Sequence, residues 1–148
     1  MYLAKRLDQY NGDCIYFCES TKNNIMDDSY FIRILYSNSF ITISGVYLIL
    51  NINGLICDKY YNKYKCTFNP SEHIELINSI KEIEIKILSK ANIKNKNPQY
   101  KIYDLLKNGF IKIFNEIPLN DKNSFVLKIS GIWETQYSYG LTYKFIAV

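Results

Sequence analysis

The sequence predicts a mainly β protein with one inserted helix, an α+β class in which the strands form a small, curved barrel. Short apolar runs that alternate with polar residues occur along much of the chain, as strands with two unlike faces require. One segment repeats its apolar side chains at helical spacing instead. Glycine stands in the middle of two strand-like runs, where a barrel strand bends. A β-sandwich or an open α+β sheet fits the same pattern.

The strongest strand pattern lies in residues 124–148, which we predict to form a β-hairpin. Apolar residues of one parity mark its two strands: Phe125, Leu127, Ile129 and Trp133, then Leu141, Tyr143, Phe145 and Ala147. Lys128, Glu134 and Lys144 are expected on the opposite face. Gly131 interrupts the first strand, which predicts a bend, a bulge or a close approach of another backbone.

Two further strands are predicted at residues 30–36 and 40–52, joined by a linker of hairpin length. The second strand contains Ile-Ser-Gly-Val-Tyr at 43–47, which echoes Ile-Ser-Gly-Ile-Trp at 129–133. Chance similarity between β-rich segments would explain this echo. The alternative is that Gly45 and Gly131 bend their strands at the same kind of corner.

One helix is predicted over residues 69–88. Asn69 and Pro70 provide an N-cap and a first helical residue, and an acidic residue follows. The core face is expected to hold the apolar residues at helical spacing: Leu76, Ile77, Ile80, Ile83, Ile87 and Leu88. The opposite face carries charges of both signs and is expected in solvent: Glu75, Lys81, Glu82, Glu84 and Lys86.

Length and composition are those of one globular domain, 1–148, whose first 28 residues should form irregular strands and a loop. The chain has 148 residues, of which 48% are hydrophobic and 22% charged. The formal net charge of +4 permits an anionic partner without requiring one. No apolar run approaches a membrane span, so we expect a soluble intracellular protein that does not bind membranes.

Residues suited to catalysis or metal binding are scarce in the sequence. The single histidine, His73, has no partner for nucleophilic catalysis, and phosphate-binding and metalloprotease motifs are missing. Without a secretion signal, we expect reduced thiols at the four cysteines, Cys14, Cys18, Cys57 and Cys66, whose spacing is also poor for zinc. We therefore expect a protein that is not an enzyme and has neither a metal nor a cofactor.

Aromatic and basic residues are interleaved along the predicted strands. A ring exposed on a sheet gives an unpaired base a stacking surface, and nearby basic side chains hold phosphates. The pattern therefore favours a surface for single-stranded DNA, or RNA, with Tyr137 and Tyr139 as the most exposed rings. The candidate binding residues are Tyr30, Arg33, Tyr36, Tyr47, Lys112, Lys128, Trp133, Tyr137, Tyr139, Tyr143 and Lys144, with Phe31 as a further ring.

Three segments also resemble a known family. They are LKISGIWETQYSYGLTYKF, the upstream FIRILYSNSFITISGVYLIL, and IEIKILSK followed by a basic loop and NGFIKI. Their sharpest part is Gly131, Trp133 and Glu134 with the run from Gly140 to Phe145. Over 30–145 the chain is similar to the OB-fold single-stranded DNA-binding proteins of large DNA viruses, especially those that infect invertebrates. The resemblance implies a small OB-like β-barrel and sequence-nonspecific binding of single-stranded DNA in viral replication or recombination, in the host nucleus or at a cytoplasmic replication site.

Two other functions fit the same composition. Exposed rings on a β protein of this size would allow contacts between copies in a virion or an inclusion body. The same scaffold would also serve a decoy that binds a host protein, because a fold does not determine a function. The sequence leaves the oligomeric state open, and a homo-oligomer is compatible with each function.

Overall fold

The computed structural model describes residues 4–23, 28–114 and 124–147. Within these ranges the strands are β1 (Ile15–Phe17), β2 (Thr21–Lys22), β3 (Tyr30–Ser37), β4 (Thr42–Ser44), β5 (Val46–Asn51), β6 (Ile56–Tyr60), β7 (Lys63–Thr67), β8 (Asn97–Gln99), β9 (Phe110–Ile113), β10 (Ser124–Glu134) and β11 (Ser138–Ala147). The α-helices are α1 (Ile74–Lys90) and α2 (Lys101–Lys107). Most strands fall where the alternating pattern predicts them.

The strands belong to one mixed sheet whose main path runs β1-β3-β10-β11-β9-β7-β6. Strands β2 and β4 pair with β3, β5 pairs with β10, and β8 pairs with β11. Among the described strands no ladder joins β1 to β6, so these pairings leave the sheet open. The predicted class, mainly β with an inserted helix, is confirmed, whereas the ladders do not close the sheet into the predicted small barrel.

The predicted C-terminal hairpin is confirmed, and its first strand is the centre of the sheet. The first half of β10 pairs with β5 and the second half pairs with β3, while β11 lies along the other edge of β10. This change of partner takes place at Gly131, which pairs with Arg33. The hairpin therefore pairs with two strands that lie far from it in sequence.

Both glycines of the sequence echo lie at this change of partner, as the corner hypothesis predicts. Gly45 has a φ of +87° and joins β4, which pairs with β3, to β5, which pairs with β10. A Cβ atom on Gly45 would lie 2.9 Å from the carbonyl oxygen of Ile129. A Cβ atom on Gly131 would meet the Ile32 carbonyl oxygen and would lie 2.6 Å from the Phe31 ring. Two backbones approach too closely here for any side chain.

A bulge at Ser130 corrects the predicted alternation of β10. Ile129 pairs with Tyr143 but Gly131 pairs with Thr142, so one extra residue is inserted into β10. Beyond such a bulge every side chain changes face. Trp133 therefore lies on the face opposite to Phe125, and Glu134 does not share the face of Lys128, contrary to the prediction for both residues.

The predicted helix is present, preceded by a 3-10 turn at Pro70–His73. The Asn69 side chain accepts a hydrogen bond from the Ser71 N–H at 3.1 Å, which caps the turn. The expected core residues of α1 are buried except Leu76, which is half-buried. They form one cluster with the side chains of the sheet. Contrary to prediction, Glu84 is also buried, at 1% exposure.

The cysteines correct another expectation. Cys57 and Cys66 lie directly opposite each other on β6 and β7 and form a disulfide, while Cys14 and Cys18 are free thiols. The sequence did not reveal this pair because the strand β7 was not predicted, and only strand pairing places the two sulfurs together. No helix in the described part of the chain has the length and hydropathy needed to cross a membrane.

Candidate nucleic-acid interface

Strand register divides the residues of the sheet between two faces. On the inner face Leu127 lies between Leu48 and Phe145, and all three side chains are buried in the core. On the opposite face, here called the outer face, Lys128 lies between Tyr47 and Lys144. The helices pack on the inner side, since the buried residues of α1 belong to the same core. The outer face is therefore the side of the sheet that lies away from the helices.

Four lysines follow one another across the outer face. Lys128 on β10 lies opposite Lys144 on β11. The parallel pairing of Phe145 with Ile113 places Lys144 beside Lys112 on β9, and Lys112 lies opposite Lys65 on β7. We call Lys128, Lys144, Lys112 and Lys65 the lysine row. It spans three strand spacings of about 4.8 Å, or roughly 14 Å.

The positive charges of the lysine row repel one another. Like charges directly opposite on neighbouring strands are destabilising, and the row contains two such pairs, Lys128 with Lys144 and Lys112 with Lys65. Within the described ranges none of the four forms an ion pair. Asp58 on β6 faces Lys65 and ends the row at the edge of the sheet. The row thus brings four positive charges together, with Asp58 as an acidic neighbour at its β7 end.

Aromatic rings line the lysine row. The Lys128 Nζ lies 5.5 Å from the centroid of the Tyr47 ring, and the Lys65 Nζ lies 4.8 Å from that of Phe110. Phe114, which shares the outward parity of Lys112, is 61% exposed. Tyr60, on the outer face of β6, is 53% exposed. Flat apolar surfaces therefore lie beside the positive charges on both sides of the row.

A second group on the outer face lies beyond the bulge and contains Phe31, Arg33 and Trp133. The Arg33 guanidinium lies 5.8 Å from the Phe31 ring centroid and donates a hydrogen bond to the Ser44 hydroxyl at 2.9 Å. The Trp133 ring covers Gly140, where a Cβ atom would lie 2.8 Å from the indole. The bulge is what brings Trp133 to the outer face, so the same distortion that breaks the alternation also adds this ring to the basic surface.

Helix α2 positions a further cation over Trp133. The Nζ of Lys101, the first residue of α2, lies 4.9 Å from the centroid of the Trp133 ring. The start of α2 is held by Glu84 of α1, whose carboxylate accepts hydrogen bonds from the N–H groups of Ile102 at 3.1 Å and Tyr103 at 2.9 Å. Burial raises the pKa of the Glu84 carboxyl to about 7, although the two N–H donors lower it.

Glu84 should make the stability of the fold depend on pH. Between its ordinary pKa of 4.5 and the raised pKa of about 7, the folded protein holds a proton that the unfolded chain releases. The contribution of Glu84 to the free energy of unfolding is therefore largest below pH 4.5 and falls as the pH rises through 7, by at most about 3 kcal/mol. Urea unfolding at pH 5 and at pH 8 measures the difference.

The variant Glu84→Gln isolates this effect, because an amide does not titrate here and keeps one oxygen for one of the two N–H groups. We expect Glu84→Gln to be less stable than the wild type at pH 5 and to lose less stability between pH 5 and pH 8. Glu82→Gln, on the exposed side of the same helix, is the control. An identical pH dependence in wild type and Glu84→Gln would contradict the buried cap.

The structure brings six of the eleven candidate residues together on the outer face: Arg33, Tyr47, Lys112, Lys128, Trp133 and Lys144. Tyr137 lies in the turn between β10 and β11 and is 71% exposed, as predicted. Tyr30 is partly exposed but has the inward parity of β3, opposite Glu134. The other three candidates, Tyr36, Tyr139 and Tyr143, also lie on the inward side.

Tyr139 and Tyr36 are too buried to stack on a base, contrary to prediction. Tyr139 shares the inward parity of Leu141, and burial raises the pKa of its hydroxyl. The Tyr36 hydroxyl accepts a hydrogen bond from the Asn11 N–H at 3.1 Å, and its ring packs beside Tyr10. Tyr143 is half-buried beside Phe145, and burial likewise raises its pKa. A tyrosine-rich strand does not reveal which of its rings face the core.

Four residues of this surface were not predicted from the sequence: Tyr60, Lys65, Phe110 and Phe114. Lys65 and Tyr60 were not predicted because the hairpin of β6 and β7 was not predicted. A signal was present in the alternation of Lys63, Lys65 and Thr67 with Tyr64 and Cys66. Phe110 and Phe114 share the parity of Lys112 and could have been assigned from it.

No protein-family model, curated protein or solved structure matches the chain. The resemblance to viral single-stranded DNA-binding proteins therefore stays a prediction. Within residues 4–23, 28–114 and 124–147 no cluster of three or more His, Cys, Asp or Glu side chains could hold a metal ion. What the arrangement offers chemically is a basic, aromatic surface on a sheet.

Proposed function

We propose that the outer face binds single-stranded nucleic acid without regard to sequence, with phosphates on the lysine row and bases on the rings beside it. The observation that carries this proposal is the pair of like-charged contacts, Lys128 with Lys144 and Lys112 with Lys65, placed in register on neighbouring strands. Each pair costs stability in the free protein. A polyanion offsets that cost by neutralising both members.

The rings favour a single strand over a duplex. A ring stacks on a base only where the base is unpaired, and every base has a face that can stack. Tyr47 and Phe110 lie beside the row on strands, so their positions are set by the sheet, and Phe114 directly follows β9. The contacts that we propose read no base edges, which supports binding to any sequence. A role in replication or recombination, as in the viral proteins that the chain resembles, is part of the proposal.

We also propose that the sheet is a variant of the OB architecture. The support is the partner change at Gly45 and Gly131, where long strands bend and pass from one neighbour to another. Small curved barrels require such bends. The inserted helix and the C-terminal hairpin are consistent with that proposal.

The test is titration of the purified protein with a thymidine oligonucleotide and with a duplex, followed by Trp133 fluorescence. Trp133 is the sole tryptophan of the chain, so quenching reports this face. We expect the single strand to bind more tightly, with a salt slope of roughly −3 because four phosphate contacts contribute about 0.7 each. Neither quenching nor a mobility shift at tens of micromolar protein in low salt would overturn the proposal.

A second candidate function, assembly of copies into a larger structure, is favoured by two hairpin tips. Phe40 is 94% exposed and Tyr61 is 95% exposed. The Asn38 side chain accepts hydrogen bonds from the N–H groups of Phe40 and Ile41, at 2.9 and 3.0 Å, and so fixes the first tip. A sedimentation coefficient that rises with protein concentration in the absence of oligonucleotide would support this candidate.

A further inference from the structure

The edge strand β6 is held to the sheet by few contacts. Among the described strands it pairs with β7 alone. Four of its five side chains are exposed, Ile56 at 67% and Tyr60 at 53% among them, and the fifth, Cys57, is half-buried. A strand that buries so little and has one neighbour is marginally stable by itself. Its attachment must therefore depend strongly on the covalent link between Cys57 and Cys66.

The two ends of this link differ in their surroundings. Cys66 is fully buried and lies on β7, which is also paired with β9 on its other side. Cys57 is half-buried on the edge strand, directly opposite Cys66 in the ladder, with 4.0 Å between the two Cα atoms. Cleavage of the link would therefore leave β7 in place and free only β6.

We propose that the Cys57–Cys66 disulfide reversibly attaches β6 to β7, and that it is opened by a dithiol reductant and closed by an oxidant of the disulfide class. When it is open, β6 leaves β7 while the rest of the sheet stays folded. The strand register makes opening of the disulfide reversible, because β6 returns to β7 with Cys57 again opposite Cys66.

The order of the steps of opening follows from the unequal burial of the two cysteines. A reductant thiolate attacks the Sγ of Cys57, the less buried of the two, and the electron pair of the S–S bond passes to the Cys66 Sγ, which takes up a proton. The second thiol of the reductant then attacks the other reductant sulfur, which is bonded to Cys57 in the mixed disulfide. Cys57 leaves as a thiolate and takes up a proton, and the reductant becomes a cyclic disulfide. Two electrons and two protons have passed to the protein.

The expected effect is large for β6 and small elsewhere. The link closes a loop between positions nine apart in sequence. Removal of a link that closes a loop of that size should raise the equilibrium constant for the opening of β6 roughly a hundred-fold. The β10–β11 hairpin lies on the far side of β7 and β9 and should not respond.

Hydrogen exchange of the whole chain, read by mass spectrometry with and without dithiothreitol, tests the proposal. We expect the β6 amides that bond to β7 to lose protection on reduction, while the β10 and β11 amides keep theirs. The double variant Cys57→Ser/Cys66→Ser should exchange as the reduced protein does under both conditions. The matched control Cys14→Ser/Cys18→Ser should respond to dithiothreitol as the wild type does.

Each result decides the matter independently of any nucleic-acid binding. Protection of β6 that is the same in the reduced wild type and in the oxidised wild type would overturn the proposal. So would an intact mass of the oxidised protein without a disulfide. Loss of protection throughout the sheet on reduction would also overturn it, because the link would then hold the fold rather than one strand.

Discussion

Gly131→Ala should lower the free energy of unfolding by about 3 kcal/mol, because a methyl group has no room where β10 changes partner. The new Cβ would lie 2.6 Å from the Phe31 ring and would also meet the carbonyl oxygen of Ile32. The ring could turn aside, but the carbonyl belongs to the ladder between β3 and β10 and cannot move without breaking it. Urea unfolding followed by fluorescence measures the loss.

Gly12→Ala is the matched control for Gly131→Ala. The nearest atoms to a Cβ on Gly12 are those of Tyr10, at 3.8 Å or more, and the φ of Gly12 lies outside the left-handed region. The same substitution there should change the free energy of unfolding by no more than about 0.5 kcal/mol. Equal stability of the two variants would show that the backbones at Gly131 are further apart than described.

Lys144→Glu should have two effects of opposite sign. It replaces the like-charged contact with Lys128 by an opposite-charged one, which should raise the free energy of unfolding by about 0.5 to 1 kcal/mol. It also places a negative charge in the middle of the lysine row. Binding of a thymidine oligonucleotide should then weaken by about ten- to a hundred-fold at low salt. Thermal unfolding and fluorescence titration measure the two effects.

Lys86→Glu controls for the change in net charge. Lys86 is exposed on α1, in the helix layer on the other side of the sheet from the lysine row. Lys86→Glu changes the net charge by the same amount as Lys144→Glu. Its affinity for the oligonucleotide should stay within about twofold of that of the wild type. If both variants weaken binding equally, the adhesion is diffuse and the lysine row is not a site. If Lys144→Glu lowers stability, the like-charged contact is not a strain on the free protein.

Local patterns were sufficient to predict the hairpin, the helix and the two glycine corners. Alternation over β10 and β11 shows which residues share a face, and Asn69 with Pro70 marks where the helix begins. The prediction fails one residue after Ser130, because a bulge leaves no clear mark in the pattern beyond the glycine beside it. Trp133 and Glu134 were therefore assigned to the wrong faces.

The remaining errors concern contacts between distant segments. Glu84 reads as a surface residue within its own helix, and only the packing of α2 against α1 gives its carboxylate two N–H partners. The lysine row requires the parallel pairing of β9 with β11, whose single register pair is Phe145 with Ile113. Periodicity along one strand contains no information about which strand lies next to it.

The central position of β10 also determines when the sheet can be completed during synthesis. Arg33 pairs with Gly131, nearly a hundred positions later in the chain. A ribosome will therefore have synthesised β3 and β5 long before β10 emerges to lie beside them. Until then the edges of both strands that pair with β10 have unpaired backbone N–H and C=O groups, and the high contact order of this arrangement slows folding. Unpaired strand edges are templates for aggregation, so the chain is most prone to aggregate in the interval before β10 is synthesised.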